Sequence, residues 1–200
     1  MIPQLANLAA DPARPRVTYY NDATGERIEL SGSTVLRWVA KAGNWLQDEM
    51  DAEPGTTVHV DIPADHWRAV YWILATWAVG AVLSDDPDAD IRVSMDDPTA
   101  DLSEPEASLA PSDVTSQPDA FTAYADPSPE DLAVDLRGEQ VPYAAVAVSL
   151  PQTRPRVVGG DDLAAQILAV YAQDGSLILL RHEDPAKRAH RLIVEGLPMA

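Results

Sequence analysis

The stretch TVHVDIPADHWRAVYWILATWAVGAVL, residues 57–83, decides how the rest of the chain is read. Thr57 to Ile62 is rich in β-branched residues, which suit a pleated, half-buried strand, and Pro63 stops it. Asp65 stands where a helix N-cap is wanted. Trp67, Val70, Tyr71, Ile73, Leu74, Trp77 and Val79 then cover most of a helix circumference before Gly80 ends it, so this helix is expected to be buried on several sides. Ala81 to Leu83 begins another strand. Strand, helix and strand in this order form a βαβ unit, which predicts an α/β fold with a mainly parallel sheet.

Upstream, Val17–Tyr20 and Glu26–Leu30 are β-like runs joined by Asn21 to Gly25, the turn chemistry of a hairpin. From Ser33 to Met50 apolar residues recur at helical spacing, with Ser33 as the expected N-cap. Downstream, Ile91–Met95 reads as a strand. Between Asp97 and Glu130, six prolines among Asp, Glu and Ser leave no room for an element of ordinary length, so residues 97–130 are expected to form a Pro/Asp-rich surface loop, or to hide one strand near Asp113–Ser116. Leu132–Leu136 is a strand, Arg137–Pro142 a tight connection, and Tyr143–Leu150 fits helix or strand equally. A helix capped by Asp161 and closed by Gly175, a strand over Ser176–Leu180 and a helix opening at Asp184-Pro185 complete the reading. The 200 residues are expected to form a single domain, a layered α/β sandwich with the hairpin at one edge of the sheet.

Composition removes several function classes. A formal charge of -18, from 32 acidic and 14 basic residues, repels polyanions, so nucleic-acid binding is not expected. Zero cysteines exclude disulfides, thiolate zinc sites and a cysteine nucleophile. The first sixteen residues lack the pattern of a signal peptide, and Trp67–Leu83 falls short of the ~20 apolar residues of a membrane span. A cytoplasmic chain with no membrane partner is the expectation.

Three groups of residues are weighed as sites. His66 and Trp67, at a helix start beyond a strand, are candidates to line a ligand pocket where α/β sheets bind small molecules; His66 is otherwise a helix-end residue bonding a neighbouring backbone group. Asp86, Asp88 and Asp90 alternate as in a calcium loop, but Ile91 stands where such a loop needs glycine, so they are metal candidates only against the plainer reading of a solvated acidic turn. Gly159 and Gly160 precede a helix but are followed by Asp161 and Asp162, which repel an anion. No Gly-x-Ser-x-Gly elbow or paired-histidine zinc pattern is present.

Thr18-Tyr19-Tyr20, Gly25 to Ser31, Asn44-Trp45-Leu46, Val58 to Pro63 with Asp65-His66-Trp67, and Trp77 to Val82 together resemble the opening of the adenylate-forming superfamily of acyl-CoA synthetases, luciferases and peptide-synthetase adenylation domains. They are more similar still to a short family of ligase-like proteins of unknown function. Ile167–Leu180 with Arg181 to Asp184 resembles the scaffold that follows the phosphate loop of the ligases. Where the resemblance implies a Thr/Ser/Gly-rich phosphate loop, this chain has Arg137-Gly138-Glu139-Gln140-Val141-Pro142, and the resemblance assigns no catalytic residue and no cofactor to it. The expected function is that of a non-catalytic, ligase-like binding or regulatory module acting through a protein partner or self-association. The alternative is a binder of acyl, CoA or nucleotide ligands, or an enzyme, with a pocket near His66.

Overall fold

The computed structural model describes residues 2–106 and 112–197. In chain order it comprises α1 (Pro3–Ala10), β1 (Pro15–Asn21), β2 (Glu26–Ser31), α2 (Gly32–Asp48), β3 (Thr57–Asp61), α3 (Trp67–Ala78), β4 (Val82–Ser84), β5 (Ile91–Ser94), β6 (Leu102–Ser103), α4 (Ser112–Thr115), β7 (Leu132–Leu136), β8 (Glu139–Pro142), α5 (Tyr143–Val146), β9 (Arg156–Val158), α6 (Leu163–Ala172), β10 (Ser176–Arg181) and α7 (Pro185–Val194). The α/β class read from residues 57–83 is the class observed. The strands, however, divide between two sheets, one ordered β2-β1-β10-β9 and one ordered β6-β5-β3-β4-β7-β8. Apart from the hairpins β1–β2 and β7–β8, every pairing is parallel.

Helix α3 explains why two sheets can share one molecule. It packs against β3 and β4 of the larger sheet, against β1 of the smaller, and against α2 and α6. A helix enclosed on so many sides needs apolar residues all round, and Trp72, Leu74 and Ala75 are fully buried, with Trp77 nearly so. Trp77 Nε1 donates to the Ala133 carbonyl on β7 at 2.9 Å, which satisfies its one polar atom inside the core.

Several boundaries differ from the sequence reading. Helix α2 is capped by Ser31, whose hydroxyl accepts from the Thr34 amide, and not by Ser33, because the helix already begins at Gly32. A Cβ at Gly32 would lie 2.4 Å from the Leu8 carbonyl oxygen, so α1 can approach α2 this closely only over a glycine. Helix α3 is capped by the His66 ring and not by Asp65, which is drawn to Arg181 at 2.9 Å. At the start of α6 the capping position belongs to Asp162, with no side-chain bond to the backbone, rather than to Asp161. Asp174, with φ of 58°, takes the left-handed turn expected of Gly175. Gly175 is instead needed for space, since a Cβ there would meet the Pro155 carbonyl oxygen at 2.5 Å. The connection Arg137–Pro142 is a β-hairpin, in which Arg137 (φ 54°) and Gly138 (φ 78°) supply the two positive-φ residues that such a turn requires.

Within residues 97–130 the strand expected near Asp113–Ser116 is a single helical turn, α4, which buries Val114 against α2. One buried side chain asks for no sheet partner. The following residues lie along α2 as a strap. Lys41 donates to the carbonyls of Thr115 and Gln117, Asn44 to those of Pro118 and Ala120, and Gln47 to that of Thr122 while accepting from the Tyr124 amide. These three side chains are spaced three residues apart along one face of α2, so together they hold the strap along that face. Asn44→Ala leaves two partly buried carbonyls without donors, a loss of about 1–2 kcal/mol. Chymotryptic cleavage at Phe121 and Tyr124 is expected to accelerate several-fold; an unchanged rate would assign the strap's attachment to the packing of Phe121 over Gly43 instead.

Candidate functional site

In parallel α/β sheets the carboxyl ends of the strands gather at one edge, where loops can leave a crevice. Here β3, β4 and β7 end beside a cleft of about 140 Å³. Its inner wall is apolar, formed by Ile62, Ala64, Ala69, Ile73, Leu83 and Leu163, and its rim carries Asp85, Arg137, Asp161 and Asp162. His59 reaches it from β3, and His59 Nδ1 is buried without a hydrogen-bond partner. The rim is held by Arg137. Its amide donates to Asp85 Oδ2 at 2.8 Å, and its guanidinium donates to the Asp161 carbonyl at 3.0 Å. The β7–β8 turn is thereby tied to the end of β4 and the start of α6.

His66 and Trp67 lie next to this cleft in sequence but face elsewhere: Ala64 and Ala69 line it, and those two do not. His66 is 2% exposed, and its Nδ1 accepts from the Arg68 amide at 3.2 Å to cap α3. Its ring meets Tyr19 and Trp67 at centroid distances of 5.1 and 5.8 Å. Burial, reinforced by the positive charges of Arg68 and Arg181 and opposed by Glu106, pushes the imidazole down to about 3, so it is neutral at physiological pH. Trp67 packs on Trp38 and Tyr71, with the Arg68 guanidinium 5.6 Å over its ring.

Beside His66 lies a charged cluster that the sequence reading did not single out. Glu104 is fully buried, with both carboxylate oxygens 2.7 Å from the Tyr71 hydroxyl and Arg68 Nη1 3.8 Å away. Burial raises its pKa, against the opposing pull of Tyr71 and Arg68, and Tyr71 is raised well above its ordinary range by burial and by Glu104. The one sequence signal was Arg68, a charge inside an apolar helix; Glu104 came from the proline-rich segment, where an acid looks like surface.

The acidic turn holds its candidate ligands apart. Asp86 accepts from the Asp88 amide, while Asp90 accepts from both the amide and the hydroxyl of Thr57. Among the described residues no group of three His, Asp or Glu side chains is arranged to hold a metal ion.

Known proteins place this geometry. The chain is 31% identical over 223 residues to a TIGR03089 family protein of Mycobacterium tuberculosis, in an alignment covering 94% of this chain and 91% of that relative. The chain belongs to the TIGR03089 family. No family model matches it. Among solved structures it is similar to the N-terminal domain of FACL13 from Mycobacterium tuberculosis (TM-score 0.76, 11% identity, 98% of this chain and 60% of that one). It is also similar to NpsA-ThdA, an artificially fused adenylation–PCP di-domain from Klebsiella oxytoca (0.74, 16%, 98% and 42%), and to a Brucella canis acyl-CoA synthetase (0.72, 15%, 98% and 46%). The family member therefore has the fold of the N-terminal part of adenylate-forming enzymes and spans roughly half the length of these structures. At such identities the likeness speaks for the fold alone. In this member of the family, β7 runs into the Arg137-Gly138 turn, and no helix among the described residues is long and apolar enough to cross a membrane.

Proposed function

We propose that this chain is a degenerate, non-catalytic relative of the adenylate-forming enzymes that works in the cytoplasm by binding. The observation that carries the reading is the β7–β8 hairpin. A loop that cradles phosphates must present several backbone N–H groups to one anion. Here the strand reverses after two residues, the Arg137 amide is already given to Asp85, and the neighbouring helix start carries Asp161 and Asp162. Both features disfavour a triphosphate.

Loss of a single preorganised donor costs ~10²–10³ in rate, so a site with none of them should lie at background. ATP–pyrophosphate exchange with fatty, aromatic and amino acids is accordingly expected to show no signal, and exchange with any acid in the panel would overturn the reading. A regulatory partner protein and self-association are two ways a binding module could act. A small-molecule occupant is the second reading, and the apolar cleft at the ends of β3, β4 and β7 is what favours it.

A further inference from the structure

We propose that the cleft at the carboxyl ends of β3, β4 and β7 binds a small cationic amphiphile, a primary amine carrying a short apolar group, rather than a carboxylate or a phosphate. The inference deepens the binding reading above and rests on it. A ligand pocket is typically an apolar cavity with a few placed polar groups, and the polar groups decide the head group. Ile62, Ala69, Ile73, Leu83 and Leu163 offer only dispersion and desolvation, which suit an alkyl or aryl tail.

The rim is a different matter. It bears three carboxylates, Asp85, Asp161 and Asp162, against one cation, Arg137. The Arg137 guanidinium is turned onto the Asp161 carbonyl, which draws it away from an incoming anion. The carboxylates of Asp161 and Asp162 have no hydrogen-bond or ion-pair partner among the described residues, and both residues are exposed at the start of α6. His59 also lines the cleft from β3, beside the apolar wall. A primary ammonium has three N–H donors and no acceptor, which matches a rim of carboxylate oxygens. A carboxylate head would meet the same oxygens with repulsion.

Hexylamine and phenethylamine, titrated by calorimetry or by NMR shifts at low salt, are expected to bind, while hexanoate and phenylacetate do not. Asp161→Asn/Asp162→Asn, at two exposed positions whose side chains make no contact needed for folding, should weaken amine binding on the order of tenfold. Raising the salt should weaken it in the same direction. Ala64→Leu, which fills the apolar wall, should abolish tail-dependent binding while leaving the unfolding transition in place. Binding of hexanoate as tight as hexylamine would overturn the proposal, and so would hexylamine binding unchanged in the double variant, or no binding of either amine. The exchange assay separates the two readings: a chain inert in exchange that ignores amines loses this ligand class only, whereas a chain active in exchange loses the non-catalytic reading as well.

Discussion

Asp174→Ala is expected to destabilise the fold by about 3–5 kcal/mol, the range for breaking a buried ion pair from one side. Asp174 sits at the turn between α6 and β10 and is 4% exposed. Three guanidiniums converge on it: Arg16 at 2.6 Å, Arg154 at 2.9 Å and Arg14 at 3.0 Å. Arg16 is fully buried on β1, and its remaining bonds go to the Gly175 and Asn7 carbonyls, so without Asp174 it has no counter-charge. Burial alone would raise the Asp174 carboxyl, but the hydrogen bond and charge of Arg16, with the charges of Arg14 and Arg154, outweigh it and hold the group below its usual range. Asp174→Asn keeps an acceptor and tolerates the positive φ, so it should lose clearly less than alanine. Urea unfolding of the two variants checks this. Equal losses would mean that the charge carries the whole effect and that neither the acceptor nor the turn geometry adds to it.

Acid should weaken the protein well above the pH at which its carboxylates protonate, because of His66. The folded state holds this ring at about 3, and the unfolded chain holds it near the ordinary value of 6.5. Between those values the unfolded chain binds a proton that the folded chain refuses, so the stabilisation is complete above pH 6.5 and is lost as pH falls towards 3. Each pH unit within that window is worth about 1.4 kcal/mol, so roughly 2 kcal/mol should be gone at pH 5. The groups facing the ring are Arg68 and Arg181, which oppose its protonation, and Glu106, which favours it. Glu104 works in the reverse sense, since its raised pKa makes acid favour the fold, so the measurement must be a difference. His66→Asn keeps a capping oxygen but cannot titrate. It should be less stable than the natural chain at pH 7.5, and the gap should close by about 2 kcal/mol at pH 5. Parallel pH profiles would show that another group carries the acid sensitivity.

The elements legible beforehand share one property: their signal is complete within a short window. Residues 57–83 declared strand, helix and strand because periodicity and the stops at Pro63 and Gly80 are all local. The hairpin β1–β2 and helices α2, α6 and α7 were legible for the same reason. Helix α1, strand β9 and the β7–β8 hairpin were not. Eight residues, three residues and a turn led by an arginine give no period to detect, and each exists because of what it packs on: α1 on α2 and α6, β9 on β10, β8 on β7.

The candidate site was less legible still. The sequence pointed to His66 and Trp67 beyond β3, whereas Ala64 and Ala69 are the residues that line the cleft and His66 turns into the core. Asp85, Arg137 and Asp161 are far apart in sequence, and only the meeting of β4, β7 and α6 makes them one rim.

From its own order of residues, then, the chain determined its α/β class, the positions of its long helices and central strands, its strong acidity and the lack of a phosphate loop. These depend on composition and on interactions among near neighbours. The tertiary structure alone decided that the strands part into two sheets around α3, that a strap is stitched to α2, and that Asp174 neutralises Arg16 from the other end of the chain. Such contacts gain their energy from burial and charge pairing between segments 74 residues apart for the strap and 160 for Arg14 and Asp174, and no local pattern encodes which distant partner will arrive.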